Sequence, residues 1–477
     1  MTPPRLHSGA TPRAPAATTP TARVPLARLA LLAGPGRTSP LAPAATAAEI
    51  ERVLGAAAAV TSRGGAAQVE VQLGHFCNNR CVFCASGQLT EQGRAQPVPT
   101  AQVVRALDAA AARGVRRLTL LGGEPTIQDA FVPSLRRAVA LGFDDITIFT
   151  NGSRTADARF VDAVARLGSF TWRVSVQGAT AAAHDRAVGR RGAFQRIVDG
   201  FAVLRARHQQ VTVNMCLTTH ALPTLAALPG LLLDHGVRQL CIDMVRPVSA
   251  GERTEAELRE MMPTFADAGA ALRGVIAELD ERAPDFDLNL THLPFCALPE
   301  AAPRIRHGGD ATVTFTADLD ERQGVMDKYA FQQTDRRKLP ECAGCVFFDV
   351  CSGVPHAYAD WHGAQSVRPV TADAVLGADP TGRALAVAGD QDTAPWQQAR
   401  AWVDRVVRVA RRGGARIGWR GALVRIELKE GTLELWPRTQ PALGMGARAV
   451  AQHEWDATAL HAVNARLAAV IHATRRG

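Results

Sequence analysis

The residues whose chemistry most needs explaining are three thiols in one short stretch. Gly74-His75-Phe76-Cys77-Asn78-Asn79-Arg80-Cys81-Val82-Phe83-Cys84 separates its cysteines by three and then two residues. Such spacing wraps one inorganic centre. Iron–sulfur cubes usually take four thiolates, so Cys77, Cys81 and Cys84 can hold three irons of a [4Fe–4S] cluster and leave the fourth open to an exogenous ligand. The rival is a zinc knuckle, but structural zinc needs a closed tetrahedral set, and His75 is adjacent to the group rather than knuckle-spaced. A second group, Cys342-Ala343-Gly344-Cys345 followed by Cys351, has spacings of two and five residues, and Cys296 can add a fourth thiolate from upstream. Four thiolates close a site, and spacing alone leaves an iron–sulfur cluster and a structural zinc both open.

Further motifs end strand-like runs. In Gly122-Gly123-Glu124-Pro125 the glycines let a backbone approach a ligand without Cβ interference, and Glu124 can accept a charge-assisted hydrogen bond from an ammonium group. Thr150-Asn151-Gly152 and Ser175-Val176-Gln177-Gly178 each read equally well as ordinary turn chemistry. Together with the cysteine loop, these motifs resemble the radical S-adenosylmethionine (SAM) superfamily, marked by three cysteines at this spacing with an aromatic residue before the last. The resemblance covers residues 68–247. It implies that SAM chelates the open iron and is cleaved reductively to a 5′-deoxyadenosyl radical, which starts chemistry on a substrate. It also implies that Phe83 lies over the cluster near the adenine and that Gly122, Gly123 and Glu124 line the SAM site. Asn151 and Ser175 then present polar groups to the ribose and carboxylate of SAM. An arginine of the stretch 184–194 is implied for the carboxylate, with Arg186, Arg190 and Arg191 all in competition. The second cysteine group resembles the auxiliary-cluster extensions called SPASM or twitch domains. A full SPASM extension has another cysteine four positions after Cys351, where this chain has Pro355. The resemblance therefore implies one auxiliary [4Fe–4S] cluster, on Cys296, Cys342, Cys345 and Cys351.

These loops need elements to position them. From Gln68 onward the pattern alternates strand, loop and helix, with strand-like runs at 69–73, 117–121, 145–150, 170–176, 211–218 and 239–245. Helical periodicity separates them at 100–113, 157–167, 194–207 and 222–234. Six βα units predict a parallel sheet covered by helices, with its chemistry at the strand C-termini. An open doubly wound sheet and a curved partial barrel both fit the count. The reading adopted is an α/β fold with a partial (β/α)6 TIM-like barrel over 67–250, a Cys-rich extension over 251–370 and a linker over 371–393. A small basic α+β module over 394–477 follows, with helices near 396–411 and 456–474 around a hairpin turning at Glu430-Gly431. Residues 1–66 form a Pro/Ala/Arg-rich segment without periodicity, expected to be disordered. After Pro247 the alternation stops, and one long polar helix is predicted over 253–282. Cys216 and Cys241, within strand-like runs, are expected in the core, as free cysteines commonly are.

The formal charge of +9 over 477 residues sits mostly at the two ends, where residues 1–48 hold five Arg and no acid and residues 400–477 hold fourteen Lys/Arg against six Asp/Glu. The body between is slightly acidic, which disfavours a nucleic-acid partner. A non-catalytic zinc-binding nucleic-acid protein is the rival of another class, and it gives Gly122 to Pro125 no purpose. No apolar run approaches the ~20 residues needed to span a bilayer, so no membrane association is expected. Six of nine cysteines in two groups, without a secretory signal, point to metal binding in a reducing cytoplasm. The expected partners are SAM, a low-potential electron donor and a substrate, either a ribosomally made peptide or a small molecule of a cofactor or metabolite pathway.

Overall fold

Along each strand of the sheet, apolar side chains alternate with polar ones, which turns two chemically distinct faces to opposite sides. The computed structural model describes residues 68–247 and 250–379 apart from 308–311 and 318–322. It also describes residues 384 and 387–388 and the strand segments 416–420, 423–428, 431–436 and 452–454. The N-terminal segment 1–66 and the helices expected at 396–411 and 456–474 lie outside the described residues, as do 380–383, 385–386 and 389–393 of the expected linker, whose described start instead forms a helix, Ala372–Ala378.

The chain runs β1 (Gln68–Gln72), α1 (Ala85–Glu91), α2 (Thr100–Ala112), β2 (Arg117–Leu121), α3 (Phe131–Ala140), β3 (Asp145–Thr150), α4 (Ala158–Ala165) and β4 (Thr171–Ser175). There follow α5 (Ala181–Val188), α6 (Ala193–Ala206), β5 (Gln210–Leu217), α7 (Leu228–Asp234) and β6 (Gln239–Met244). The six expected strands are therefore all present. The expected helix over 222–234 begins as a 3-10 segment, Leu222–Ala227, with Pro223 in its first turn.

Beyond Pro247 the structure departs from the single long helix of the sequence reading. Pro263 divides it into α8 (Glu255–Met261), opened by a Thr254/Glu257 capping box, and α9 (Phe265–Arg282), capped by Thr264. The strands also resume, as β7 (Asp287–Thr291), β8 (Ile305–Arg306), β9 (Thr312–Ala317) and β10 (Gln323–Asp327). All four join the main sheet, whose order is β10-β9-β1-β2-β3-β4-β5-β6-β7-β8. From β9 through β8 every neighbour is parallel, and β10 is antiparallel on the edge. The two edges do not pair, so the sheet stays open as a partial barrel does. The remaining described elements are α10 (Lys328–Gln333), β11 (Arg336–Arg337), β12 (Val354–Pro355), α11 (His356–His362) and α12 (Ala372–Ala378). A separate four-stranded sheet, β13 (Arg416–Arg420), β14 (Leu423–Leu428), β15 (Gly431–Trp436) and β16 (Gln452–Glu454), contains the hairpin expected near residue 430.

One face of the main sheet carries Val69, Val71, Leu118, Leu120, Ile148, Trp172, Val174, Val213 and Leu240, all buried with helix residues such as Leu107, Leu135 and Phe201 in one core. The alternate positions are mostly polar, with Glu70, Thr119, Thr147, Arg173, Thr212, Asn214 and Asp243, and Leu121 and Phe149 as apolar exceptions. The second face therefore suits a polar ligand rather than a dry core. Parity also corrects the expectation for two cysteines. Cys216 falls between the buried Met215 and Leu217, and Cys241 between Leu240 and Ile242, so both are half-buried on the polar face beside Asp243.

Candidate functional site

The cysteine loop leaves β1 through Gly74, whose φ of +141° suits glycine and whose Cβ position would lie 2.8 Å from the Gln96 carbonyl oxygen. The loop is then fastened by its own backbone. Arg80 N–H donates to the Val188 carbonyl at 2.8 Å and Val82 N–H to Ala187 at 3.0 Å, so the C-terminal end of α5 forms one wall. Arg80 Nη1 folds back onto the Cys77 carbonyl at 2.7 Å, and Thr90 Oγ1 accepts from Cys77 N–H at 3.2 Å. All three thiols are half-buried. Burial pushes Cys77 up to about 11, and Cys81 rises well above its ordinary value through burial and then through Cys84 and Cys77 beside it. Thiols so placed stay protonated unless a cation takes their charge, which is what a metal ligand does on binding.

The two glycines of the next motif face this loop. A Cβ on Gly122 would come within 2.7 Å of the Gly74 oxygen, and one on Gly123 within 2.2 Å of the Phe76 oxygen. Gly123 N–H donates to Gly74 at 2.7 Å and Glu124 N–H to Phe76 at 2.8 Å, a close seam between the β2 and β1 loops. Glu124 is fully buried. Its Oε1 accepts from Thr126 N–H at 3.1 Å, Thr126 Oγ1 at 2.5 Å and Thr150 Oγ1 at 2.7 Å, and its Oε2 from Asn151 N–H at 2.7 Å. Burial nevertheless raises its pKa above the ordinary carboxylate value, with those four bonds pulling the other way. The carboxylate thus locks the end of β2 to the end of β3.

Asn151 carries the connection onward. Its Nδ2 donates to Asn78 Oδ1 at 2.7 Å and lies 3.8 Å from Cys77 Sγ. Asn78 Nδ2 donates to Ser153 Oγ at 2.9 Å, and Arg190 Nη1 donates to the Asn78 carbonyl at 2.7 Å. Of the three competing arginines, Arg190 is therefore the one bonded to the cysteine loop. Phe83 is half-buried against the core. Ser175, half-buried at the end of β4, pairs in register with Asn214 rather than bonding to the cysteine loop. Thr90, Thr126, Ser153 and Cys216 join the site without any motif spacing to mark them. Cys216 is close enough to Cys81 and Cys84 for their charges to act on one another, and strand parity was the signal available for it.

The second group assembles from separated segments. Cys296 lies in a 3-10 turn, Phe295–Ala297, beyond β7, and Cys342 lies in another, Pro340–Gly344, with Cys345 capping its end. All four thiol residues line one pocket, partly open to solvent, with Phe348, Val354 and Val367 among its apolar walls. Backbone N–H groups are aimed at the sulfurs: Gly353 at Cys351, 3.4 Å away, Phe295 at Cys351, and Arg368 at Cys296. Phe295 stacks between His307 and Phe347, with centroids at 4.5 and 4.8 Å. Burial pushes Cys296 up to about 11, assisted by Cys351, Cys345 and Cys342. Among the described residues no three His, Cys, Asp or Glu side chains close on one point as ligands of a single ion do. Four sulfurs around one pocket, two of them met by backbone N–H donors, can hold a metal centre. Pro355, in β12, is buried and pairs with Arg336.

Residues 71–221 match the family described as the Radical SAM superfamily. That segment, which holds the cysteine loop and the seam around it, is a radical SAM domain. The PqqA peptide cyclase of Ruegeria pomeroyi is 33% identical over 211 residues, covering 44% of this chain and 54% of that protein. A GTP 3′,8-cyclase of Rhodopseudomonas palustris is 33% identical over 151 residues, covering 31% and 43%. The chain thus spans about half the length of the relatives it matches. Among solved structures, Streptococcus suis SuiB bound to its precursor peptide SuiA aligns with a TM-score of 0.48 at 16% identity, over 66% of this chain and 78% of that one.

Proposed function

We propose that the chain is a radical SAM enzyme in which a [4Fe–4S] cluster on Cys77, Cys81 and Cys84, when bound, supplies the electron that cleaves SAM to a hydrogen-abstracting 5′-deoxyadenosyl radical. The observation that carries this reading is the three-thiol loop at the mouth of the sheet, sewn to Gly123, Glu124, Asn151 and Arg190. Glu124 and Asn151 act as positioning residues, holding the loop and the strand ends in one frame. Gly122, Gly123, Phe83 and Ser175 line the place for SAM. The polar face of the sheet, with Arg173, Asn214 and Asp243, receives the substrate. The four thiols around the second pocket support an auxiliary [4Fe–4S] cluster on Cys296, Cys342, Cys345 and Cys351. A zinc-binding nucleic-acid protein has no need of the three-thiol mouth.

The substrate proposed is a ribosomally made peptide, in line with the peptide cyclase among the relatives. A small-molecule substrate is the second reading, favoured by the GTP 3′,8-cyclases that the chain also matches. Among the described residues no helix is long and apolar enough to cross a membrane; the proposed setting is the cytoplasm, with a low-potential protein as electron donor. The test is anaerobic reconstitution followed by reduction with SAM. 5′-Deoxyadenosine should appear, a co-expressed candidate peptide should change mass, and GTP should remain unchanged. No 5′-deoxyadenosine from iron-loaded protein would overturn the assignment.

A further inference from the structure

Between the mouth of the sheet and the second thiol group lies a buried charge cluster that the proposed chemistry leaves unused. Arg246 follows β6, His292 follows β7, and Asp335 and Arg336 lie at β11. Arg246, Asp335 and Arg336 are only 8%, 7% and 9% exposed. Arg246 Nη2 sits 2.8 Å from Asp335 Oδ2, a tight ion pair, whereas Arg336 Nε is 4.0 Å from the other carboxylate oxygen. Arg336 instead spends its donors on neutral groups, giving Nη1–H to the Gly353 carbonyl at 3.3 Å and Nη2–H to His292 Nδ1 at 2.9 Å. His292 accepts that bond as a neutral ring, and burial together with Arg336 and Arg246 holds its pKa well below the ordinary value. Two guanidiniums thus share one carboxylate, and no second carboxylate reaches either among the described residues. One positive charge is left over in a dry site, where an unpaired charge is costly.

The surplus has a direction. Cys351 acts electrostatically on Arg336, and Gly353, whose carbonyl Arg336 holds, aims its own N–H at Cys351 Sγ. A thiolate-ligated cube is anionic and becomes more so on reduction, so a fixed buried cation beside it favours the reduced state.

We infer that Arg336 is a positioning residue for the second metal site, the buried counter-charge that raises the reduction potential of the auxiliary cluster. Asp335, anchored by Arg246, trims that charge. The inference rests on reading the second group as an iron–sulfur site.

The test uses the full chain carrying Cys77→Ala, Cys81→Ala and Cys84→Ala, so that only the second site binds iron, with midpoints followed by electron paramagnetic resonance during a redox titration. Absence of an iron–sulfur signal in this background would overturn the underlying cluster reading, and the inference with it. With the signal present, Arg336→Gln should move the midpoint to more negative potential. Arg336→Lys, which keeps the charge, should stay near the parent, and Asp335→Asn should move it the opposite way. An unchanged midpoint in iron-loaded Arg336→Gln, or shifts of one sign in Arg336→Gln and Asp335→Asn, would overturn the inference while leaving the cluster reading intact. If Arg336→Gln fails to retain iron, the Lys variant decides: retention supports a need for the charge, and loss in both marks Arg336 as merely structural.

Discussion

Gly123→Ala tests the seam on which the proposed SAM site depends. The added Cβ would stand 2.2 Å from the Phe76 oxygen and 2.4 Å from the His75 oxygen. Both belong to the backbone of the cysteine loop, so no side chain can swing aside. The loop must retreat by more than about 1 Å before the pair reaches ordinary separation, and doing so breaks the bonds from Gly123 to Gly74 and from Glu124 to Phe76. Overpacking of this kind costs about 1–3 kcal/mol, and each lost hydrogen bond adds about 0.5–1.5 kcal/mol. The expected loss is about 2–6 kcal/mol from these terms together. Anaerobic urea denaturation of the metal-free protein reads the stability, and iron analysis reads the consequence: the first group should lose its iron while the second keeps it. A control lies in α9, where Gly274→Ala meets nothing within 4 Å and should be neutral or stabilise by about 0.4–1 kcal/mol. Wild-type stability and full iron in Gly123→Ala would refute the idea that the glycine exists for the loop's close approach.

Replacing Cys77, Cys81 and Cys84 with Ala should abolish 5′-deoxyadenosine formation while iron remains at Cys296, Cys342, Cys345 and Cys351; a zinc atom there in place of iron would turn that group into a structural staple. Glu124→Ala orphans the N–H groups of Thr126 and Asn151, at about 1–3 kcal/mol each, and should strip iron from the first group; full loading would show that the carboxylate is no lock. Tyr358→Phe removes the hydroxyl that accepts Phe265 N–H at 2.8 Å at the start of α9 and should cost about 1–3 kcal/mol in denaturation, a reading that equal midpoints would exclude. His307, pushed down to about 3 by burial and tied to Leu293 and Ser352, stays neutral when folded but protonates at 6.5 when unfolded. Its contribution is therefore present above pH 6.5 and drains as pH falls toward 3, by up to about 1.4 kcal/mol per unit; His307→Gln should flatten the acid limb of the stability profile, and an unchanged limb would rule this out.

The parallel architecture was legible because β1 to β6 are each long enough to display alternation and each is followed by a helical period. β8 has two residues and could not announce itself. β7 and β9 do alternate, as Asp287-Leu288-Asn289-Leu290-Thr291 and Thr312-Val313-Thr314-Phe315-Thr316. β9 returns to pair with β1, some 240 residues upstream, a closure that local periodicity cannot signal, whereas β7 pairs with its neighbour β6. The break at Pro263 was written in the sequence, since Thr254 and Thr264 both cap helices there. The cysteines declared themselves by spacing. The partners of Glu124 did not, because Thr126, Thr150 and Asn151 are ordinary turn residues until strand register brings β2 and β3 side by side.

The two thiol groups are held in different ways, and the difference bears on how each loads metal. The first depends on four stretches of chain distant in sequence: the β1 loop, Gly123-Glu124, Asn151 to Ser153, and the end of α5 with Arg190. Every one of those stretches is placed by β1 to β4, so the loop takes its shape only when those strands are paired. The second draws Cys342, Cys345 and Cys351 from a single short segment. Among the described residues it takes from the sheet Cys296, which follows β7, His307, which follows β8 and bonds to Leu293 and Ser352, and Arg246, which follows β6 and holds Asp335. Partial unfolding that frays β7 and β8 at the sheet edge should therefore release the second group's metal while β1 to β3 still hold the first loop. Damage at the β1–β2–β3 seam should do the reverse.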